Sequence, residues 1–224
     1  MLPRSVPLLA CLLAAPGAWA DDLYDGASTF LDLGSYNTPF QYPDGSHQAD
    51  VGRYGVAFSQ PLANDFDVEL HGGYLTLEVA GEPQPVPQTG SGRYLGLMTR
   101  YEGTGQDHLN FSAELSYTWL DVDSSGFGAP RFLPPSQFTW YETWVAAGPV
   151  LRYGPLRLSL GAYYQNLDGT ETDNDPARVL DFHAGKSFGP YLGVALYVQP
   201  DYSIGLIGTA GARKGVRLVF QRDF

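Results

Sequence analysis

The groups in this chain that could do chemistry are carboxylates, guanidiniums and four histidines, scattered singly along the sequence. Asp32, Asp67, Glu69, Glu114, Glu142 and Asp181 stand at alternate positions of segments whose other positions are largely apolar, as do Arg53, Arg100, Arg152, Arg157 and Arg217. Such a near-balanced set on one shared face reads as an ion-paired interior, because a buried charge without a partner is costly. The other chemistry open to it is a narrow conduit lined by arginines and carboxylates. His71 and His183 fall on the same faces, whereas His47 and His108 sit in connections. None belongs to a Ser/His/Asp or HExxH arrangement, so the reading is not an enzyme. Asp121 to Gly126 (DVDSSG) opens like a calcium loop, but the acid due six residues past the glycine is Phe132. Asp168, Glu171, Asp173 and Asp175 form an acidic stretch, read as a solvated turn or as a place where divalent cations bridge to phosphates. No metal or cofactor is expected.

The segments that must position these groups are strands. Leu109 to Leu120 is the clearest: Leu109, Phe111, Ala113, Leu115, Tyr117 and Trp119 alternate with Asn110, Ser112, Glu114, Ser116 and Thr118. Further strands are expected over 29–36, 52–60, 66–79, 94–101, 141–153, 156–167, 178–188, 191–198 and 215–224. The charged residues above lie on one face and Tyr54, Val56, Phe58, Leu70, Leu95, Leu97, Leu158, Leu160, Leu180, Phe182 and Ala184 on the other. The pattern of 66–79 switches after Gly72-Gly73, which predicts a bulge or twist there. Pro149 interrupts its strand, since proline offers no ladder donor. Long connections are expected over 37–51, 81–92, 121–139 and 168–177, and short turns at 61–65, Gly154-Pro155 and Gly189-Pro190. The aromatic and Pro-rich 127–141 (FGAPRFLPPSQFTWY) lies in the longest connection and is a candidate contact surface or lid. Alternation alone does not say whether the apolar face meets a soluble core or lipid.

Residues 1–20 read as a cleaved leader: Arg4, the apolar run Val6 to Ala15, and Ala18-Trp19-Ala20 before the cut. A lipobox at Leu8 to Cys11 is the competing reading. Cys11 is the only cysteine, so the expected mature chain, 21–224, has no disulfide and forms one domain. A formal charge of -11 argues against a nucleic-acid partner. No stretch is apolar enough for a membrane helix, but a membrane barrel hides its apolarity in alternate positions.

Gly215 to Phe224 (GVRLVFQRDF) closes the series, with Val216, Leu218, Phe220 and Phe224 on one face and Arg217, Val219, Gln221 and Asp223 on the other. This strand resembles the C-terminal strand of Gram-negative outer-membrane β-barrels, with Arg222 as a departure from the apolar row. The resemblance, to the OmpA/OmpX-like class of small barrels, covers the leader and the strand-turn layout. It implies an all-β, closed, antiparallel up-and-down barrel in the cell outer membrane. Phe220 and Phe224 would then be read by the barrel-assembly machinery, and the monomer would sit among outer-membrane lipid and lipopolysaccharide. A secreted β-sandwich is the alternative fold. Asp201 to Ala210 reads as one more strand, and the resulting eleven are one too many for a barrel with both ends on one side, so Gln199 to Lys214 is assigned to a last external loop. That leaves ten strands, with eight as the alternative. The functional expectation is a structural or surface-interaction barrel with a largely plugged lumen. A narrow porin-like channel and an enzyme acting on membrane lipid or surface peptides are the alternatives.

Overall fold

The computed structural model describes residues 26–63, 65–81, 84–103, 108–124, 136–174 and 177–224. The leader and lipobox readings, Asp175 and most of the 127–141 stretch lie outside these residues. Eleven strands form one antiparallel sheet that closes on itself: β1 (Ser28–Tyr42), β2 (Gly45–Ala63), β3 (Phe66–Gly81), β4 (Gln84–Gly103), β5 (Leu109–Asp123), β6 (Ser136–Tyr153), β7 (Leu156–Asn174), β8 (Ala177–Ala184), β9 (Phe188–Gln199), β10 (Tyr202–Thr209) and β11 (Lys214–Asp223).

Closure happens twice. Toward the short turns, β1 to β7 are followed by β9, β10 and β11, and β11 pairs with β1 from Ser28↔Asp223 to Asn37↔Lys214, giving a ring of ten strands. Toward the long hairpins, β7 leaves β9 after Tyr164↔Phe188 and takes up β8 from Asp168↔His183. There β8 reaches β1 through Phe40↔Ala184 and Gln41↔His183, giving a ring of eight. β8 and β9 both run antiparallel to β7, so they are two parts of one interrupted strand. Gly189-Pro190 is therefore not a hairpin turn, and Tyr202–Thr209 is a wall strand rather than loop. The expected count of ten is right for the wider ring, but the surplus segment arises from this interruption.

The long connections are also corrected. Most of 37–51, 81–92 and 168–177 is strand, as are both described ends of 121–139, so β2, β4 and β7 run to 19, 20 and 19 residues. About 9–11 residues suffice to cross a bilayer, so the barrel wall continues beyond it. The physical reason these stretches read as loops is that their alternation is inverted. In β3, odd residues face inward throughout: Asp67, Glu69 and His71, then the buried Leu75, Leu77 and Val79. Pairing with β2 and β4 is unbroken past Gly72 and Gly73, so no bulge occurs there. The medium outside changes, from lipid against Leu70 to water around Glu78. Pro149 is accommodated without a slip, since β6 and β7 keep one register on either side of it.

The lipid-facing band consists of exposed side chains such as Phe58, Leu70, Leu97, Leu115, Val145, Leu160, Leu192 and Leu206. Aromatic rings border it on both sides. Tyr54 faces Tyr74, and Tyr117 stacks on Tyr141 at 5.6 Å, on the hairpin side. Phe66 packs on Tyr101 at 5.0 Å on the turn side. Phe66 to Tyr74 is nine residues of β3, which matches the roughly 9–11 residues with which a tilted strand crosses a bilayer. Arg222 lies over the rings of Tyr202 and Phe224 at 5.4 and 4.8 Å, within this lower border. A Leu97→Arg substitution in mid-band should cost about 2–4 kcal/mol. Thr76→Arg, outward but above the band, should change stability by less than about 0.5 kcal/mol. Urea unfolding of refolded barrels in lipid bicelles reads the difference.

Candidate functional site

The interior has two zones, set by what the inward positions carry. In the hairpin half, Phe40, Val51, Leu75, Leu77, Leu120, Val122, Phe138, Trp140, Leu167 and Phe182 are almost wholly buried and form one apolar core. Phe40 stacks on Phe182 with centroids 4.5 Å apart and meets the edge of Trp140 at 5.9 Å. Below this core the inward positions turn polar and surround a cavity of about 180 Å³. Its charged lining is Asp32, Glu69, Glu114 and Glu142 with Arg53, Arg100, Arg157, Arg213 and Arg217, and His71 beside them.

Three ion-paired groups occupy successive levels. At the top, Glu142 Oε1 accepts from Tyr36 Oη at 2.6 Å and from Trp140 Nε1 at 3.2 Å. Its Oε2 accepts from Arg53 Nη2 at 2.5 Å and lies 3.8 Å from Arg213 Nη1. Arg53 also donates to Tyr36 Oη at 2.9 Å, and the Arg213 guanidinium stacks on the Tyr36 ring at 3.4 Å. In the middle, Arg100 Nε donates to Glu114 at 3.1 Å and Arg100 Nη2 lies 3.9 Å from Glu69. There His71 bridges Glu69 at 3.5 Å and Thr118 at 3.0 Å, while Arg217 Nε lies 2.9 Å from Asp32. At the turn-side rim, Glu102 accepts from Arg152, Arg157 and Asn110 at 2.6, 2.9 and 3.2 Å.

Arg213 reaches the interior because the β10–β11 connection folds inward. Gly211 takes a φ of 91°, in the left-handed region that favours glycine, and Ala212 is buried. Tyr163 Oη accepts from Arg213 N at 2.7 Å and lies 2.9 Å from the carbonyl oxygens of both Ala210 and Arg213. Thr38 Oγ1 donates to Ala212 O at 3.3 Å and accepts from Gln165 Nε2 at 3.0 Å. The tip is thus tied to β7 and β1, beneath the point where β8 crosses to β1.

Of the sequence candidates, Arg53, Glu69, His71, Arg100, Glu114, Glu142, Arg157 and Arg217 line the cavity. Asp67 faces inward but stands outside the lining, level with Arg100 on β4. Arg152 is exposed at the rim. Asp181 and His183 face out, because β8 belongs to the inverted half and Phe182 is the inward residue between them. Leu180 packs against the apolar core and Ala184 beside it, rather than facing lipid. Arg213 and Glu102 were missed, since both stood in segments read as connections. The compact Gly211-Ala212-Arg213-Lys214-Gly215 run, too short for an external loop, was the available signal. Asp121 accepts from Gln137 and Thr139 across the sheet, and the strand from Asp168 to Asp173 is part of β7 rather than a loop. No group of three or more potential metal ligands occurs among the described residues. Phe220 is half-buried and Phe224 exposed, with Phe224 N donating to Ala27 O at 2.9 Å.

No protein-family model and no curated protein matches the chain. Solved structures do. The outer-membrane protease OmpT from Escherichia coli aligns with TM-score 0.53 and 10% identity, over 90% of this chain and 98% of that one. The translocator domain of the autotransporter NalP from Neisseria meningitidis gives 0.52 and 9%, over 98% and 96%. The transport unit of the autotransporter AIDA-I from Escherichia coli gives 0.50 and 10%, over 97% and 95%. At such identities the likeness is one of fold. That fold is the outer-membrane β-barrel, and the lipid-facing band agrees with it. The neighbours differ too much in role to assign one.

Proposed function

We propose that this barrel does not conduct, and that it serves as a rigid surface-contact platform in the outer membrane. The observation that carries this reading is the apolar core filling the hairpin half of the interior. A polar path can enter from the turn side as far as Glu142, and there it meets Trp140, Phe138, Phe40 and Phe182, all but inaccessible in the apolar core of the described residues. Filling a barrel with aromatic side chains excludes water and fixes the wall. The strands beyond the membrane therefore stand as a firm wall above it. Their outer face is hydrophilic and largely acidic, with Asp50, Glu78, Asp123, Asp168 and Asp181 exposed beside Arg93 and His183. Such a face suits contact with surface carbohydrate, with cations bridging to lipopolysaccharide phosphates, or with a basic partner. Planar bilayers test the reading. Purified barrel should give no steady unitary currents, and reproducible single-channel steps would overturn it in favour of a narrow channel.

A further inference from the structure

The top of the polar cavity is rich in unspent donors and poor in acceptors. Two guanidiniums, Arg53 and Arg213, share the single carboxylate Glu142. Both oxygens of that carboxylate are already engaged by Tyr36, Trp140 and Arg53. The Arg213 guanidinium makes no hydrogen bond among the described residues. It has only its stacking on Tyr36 and Trp144 and the 3.8 Å approach to Glu142, although it carries five N–H groups. Arg53 Nε is likewise buried without a hydrogen bond, whereas one level down Arg217 Nε lies 2.9 Å from Asp32 Oδ2 outside hydrogen-bond geometry and the acceptors Asp32 Oδ1 and Glu69 Oε1 are unmatched too. Two of these arginines flank one small residue, and Arg213 stacks on Tyr36, two positions further along the same strand. Gly34 on β1 is paired with Arg217 on one side and Arg53 on the other. A Cβ there would find nothing nearer than 3.8 Å, so the floor between the two guanidiniums is open.

We infer that this closed end of the cavity binds a small oxyanion, of the phosphate, sulfate or carboxylate type, held by Arg213, Arg53 and Arg217 over Gly34. The acceptor supplied by the ligand satisfies donors that the protein leaves unmatched. Arginine forks suit oxyanion geometry, with charge-assisted bonds about twice as strong as neutral ones. A cavity of about 180 Å³ has room for such an ion together with several waters. The anion enters from the turn side, since the apolar core closes the other end. The site does not depend on the surface role proposed above.

The test is titration calorimetry of the refolded, full-length barrel in non-ionic detergent and low-chloride buffer, with inorganic phosphate as the probe. One saturable site is expected. Arg213→Gln should weaken it at least tenfold. Gly34→Leu, which fills the floor and leaves every charge in place, should do the same, and Arg152→Gln at the rim should leave it unchanged. Heat-modifiable gel migration confirms that each variant is folded. Competition by short-chain phosphatidic acid would assign the oxyanion to a lipid headgroup, and its absence to a free solute. No saturable heat with the parent barrel, or equal affinity in parent, Arg213→Gln and Gly34→Leu, overturns the site.

Discussion

A Glu142→Ala barrel is expected to lose about 3–5 kcal/mol of stability, the usual cost of leaving a buried ion pair half empty. The effect is large because Glu142 is, among the described residues, the one carboxylate within ion-pair distance of two buried guanidiniums and also accepts from Tyr36 and Trp140. Removing it leaves Arg53 and Arg213 beside the Tyr36 ring without a counter-charge, and leaves the Trp140 N–H and the Tyr36 O–H without their acceptor. Urea midpoints followed by tryptophan fluorescence in bicelles measure the loss. A double variant, Glu142→Leu with Arg53→Leu, should recover part of it, since replacing both partners by apolar groups removes the unpaired charge. Equal stability of Glu142→Ala and parent would show that water in the cavity already screens these groups.

Cutting the aromatic core should convert the silent barrel into a conducting one. Phe40, Trp140 and Phe182 meet within 4.5–6.5 Å of one another and are nearly inaccessible. Each Phe→Ala or Trp→Ala change alone should destabilise by about 3–5 kcal/mol, with the sum reduced by shared contacts. The combined variant removes the rings that separate the polar cavity from the outside, so bilayer recordings should show currents absent from the parent. If the folded triple variant stays silent, the seal lies elsewhere, at the Ala210 to Arg213 tip or in the hairpins above.

How much of this was legible follows from the medium around each segment. In the membrane zone the sequence speaks plainly: Tyr54, Val56 and Phe58 against Arg53, or Leu95 and Leu97 against Arg100, can alternate that way only with lipid outside or a core inside. Arg53, Glu69, Glu114 and Glu142 were therefore placed on the inner face from spacing alone. Beyond the membrane both sides change character together, and Asn37, Pro39 and Gln41 outside with Thr38, Phe40 and Tyr42 inside were taken for loop. The same inversion turned Asp181 and His183 the wrong way. The two-ring closure left no local sign, because Gly185 to Ser187 marks a lateral step between neighbours distant in sequence. Arg213 was hidden for a related reason: its value depends on a tip that folds inward under another strand.

The change from ten strands to eight gives the molecule a taper. Barrel diameter grows roughly in proportion to strand number, so the upper ring is about four-fifths as wide as the lower and occupies roughly two-thirds of its cross-section. A body of this shape is broadest where acyl chains surround it and slimmer at the height of the headgroups and sugars. Copies crowded side by side would touch at the waist and stand apart above, leaving wedge-shaped gaps between them. Into those gaps the bulky carbohydrate of neighbouring lipids could rise without being displaced, so the protein can be dense in the membrane and still leave the surface coat continuous.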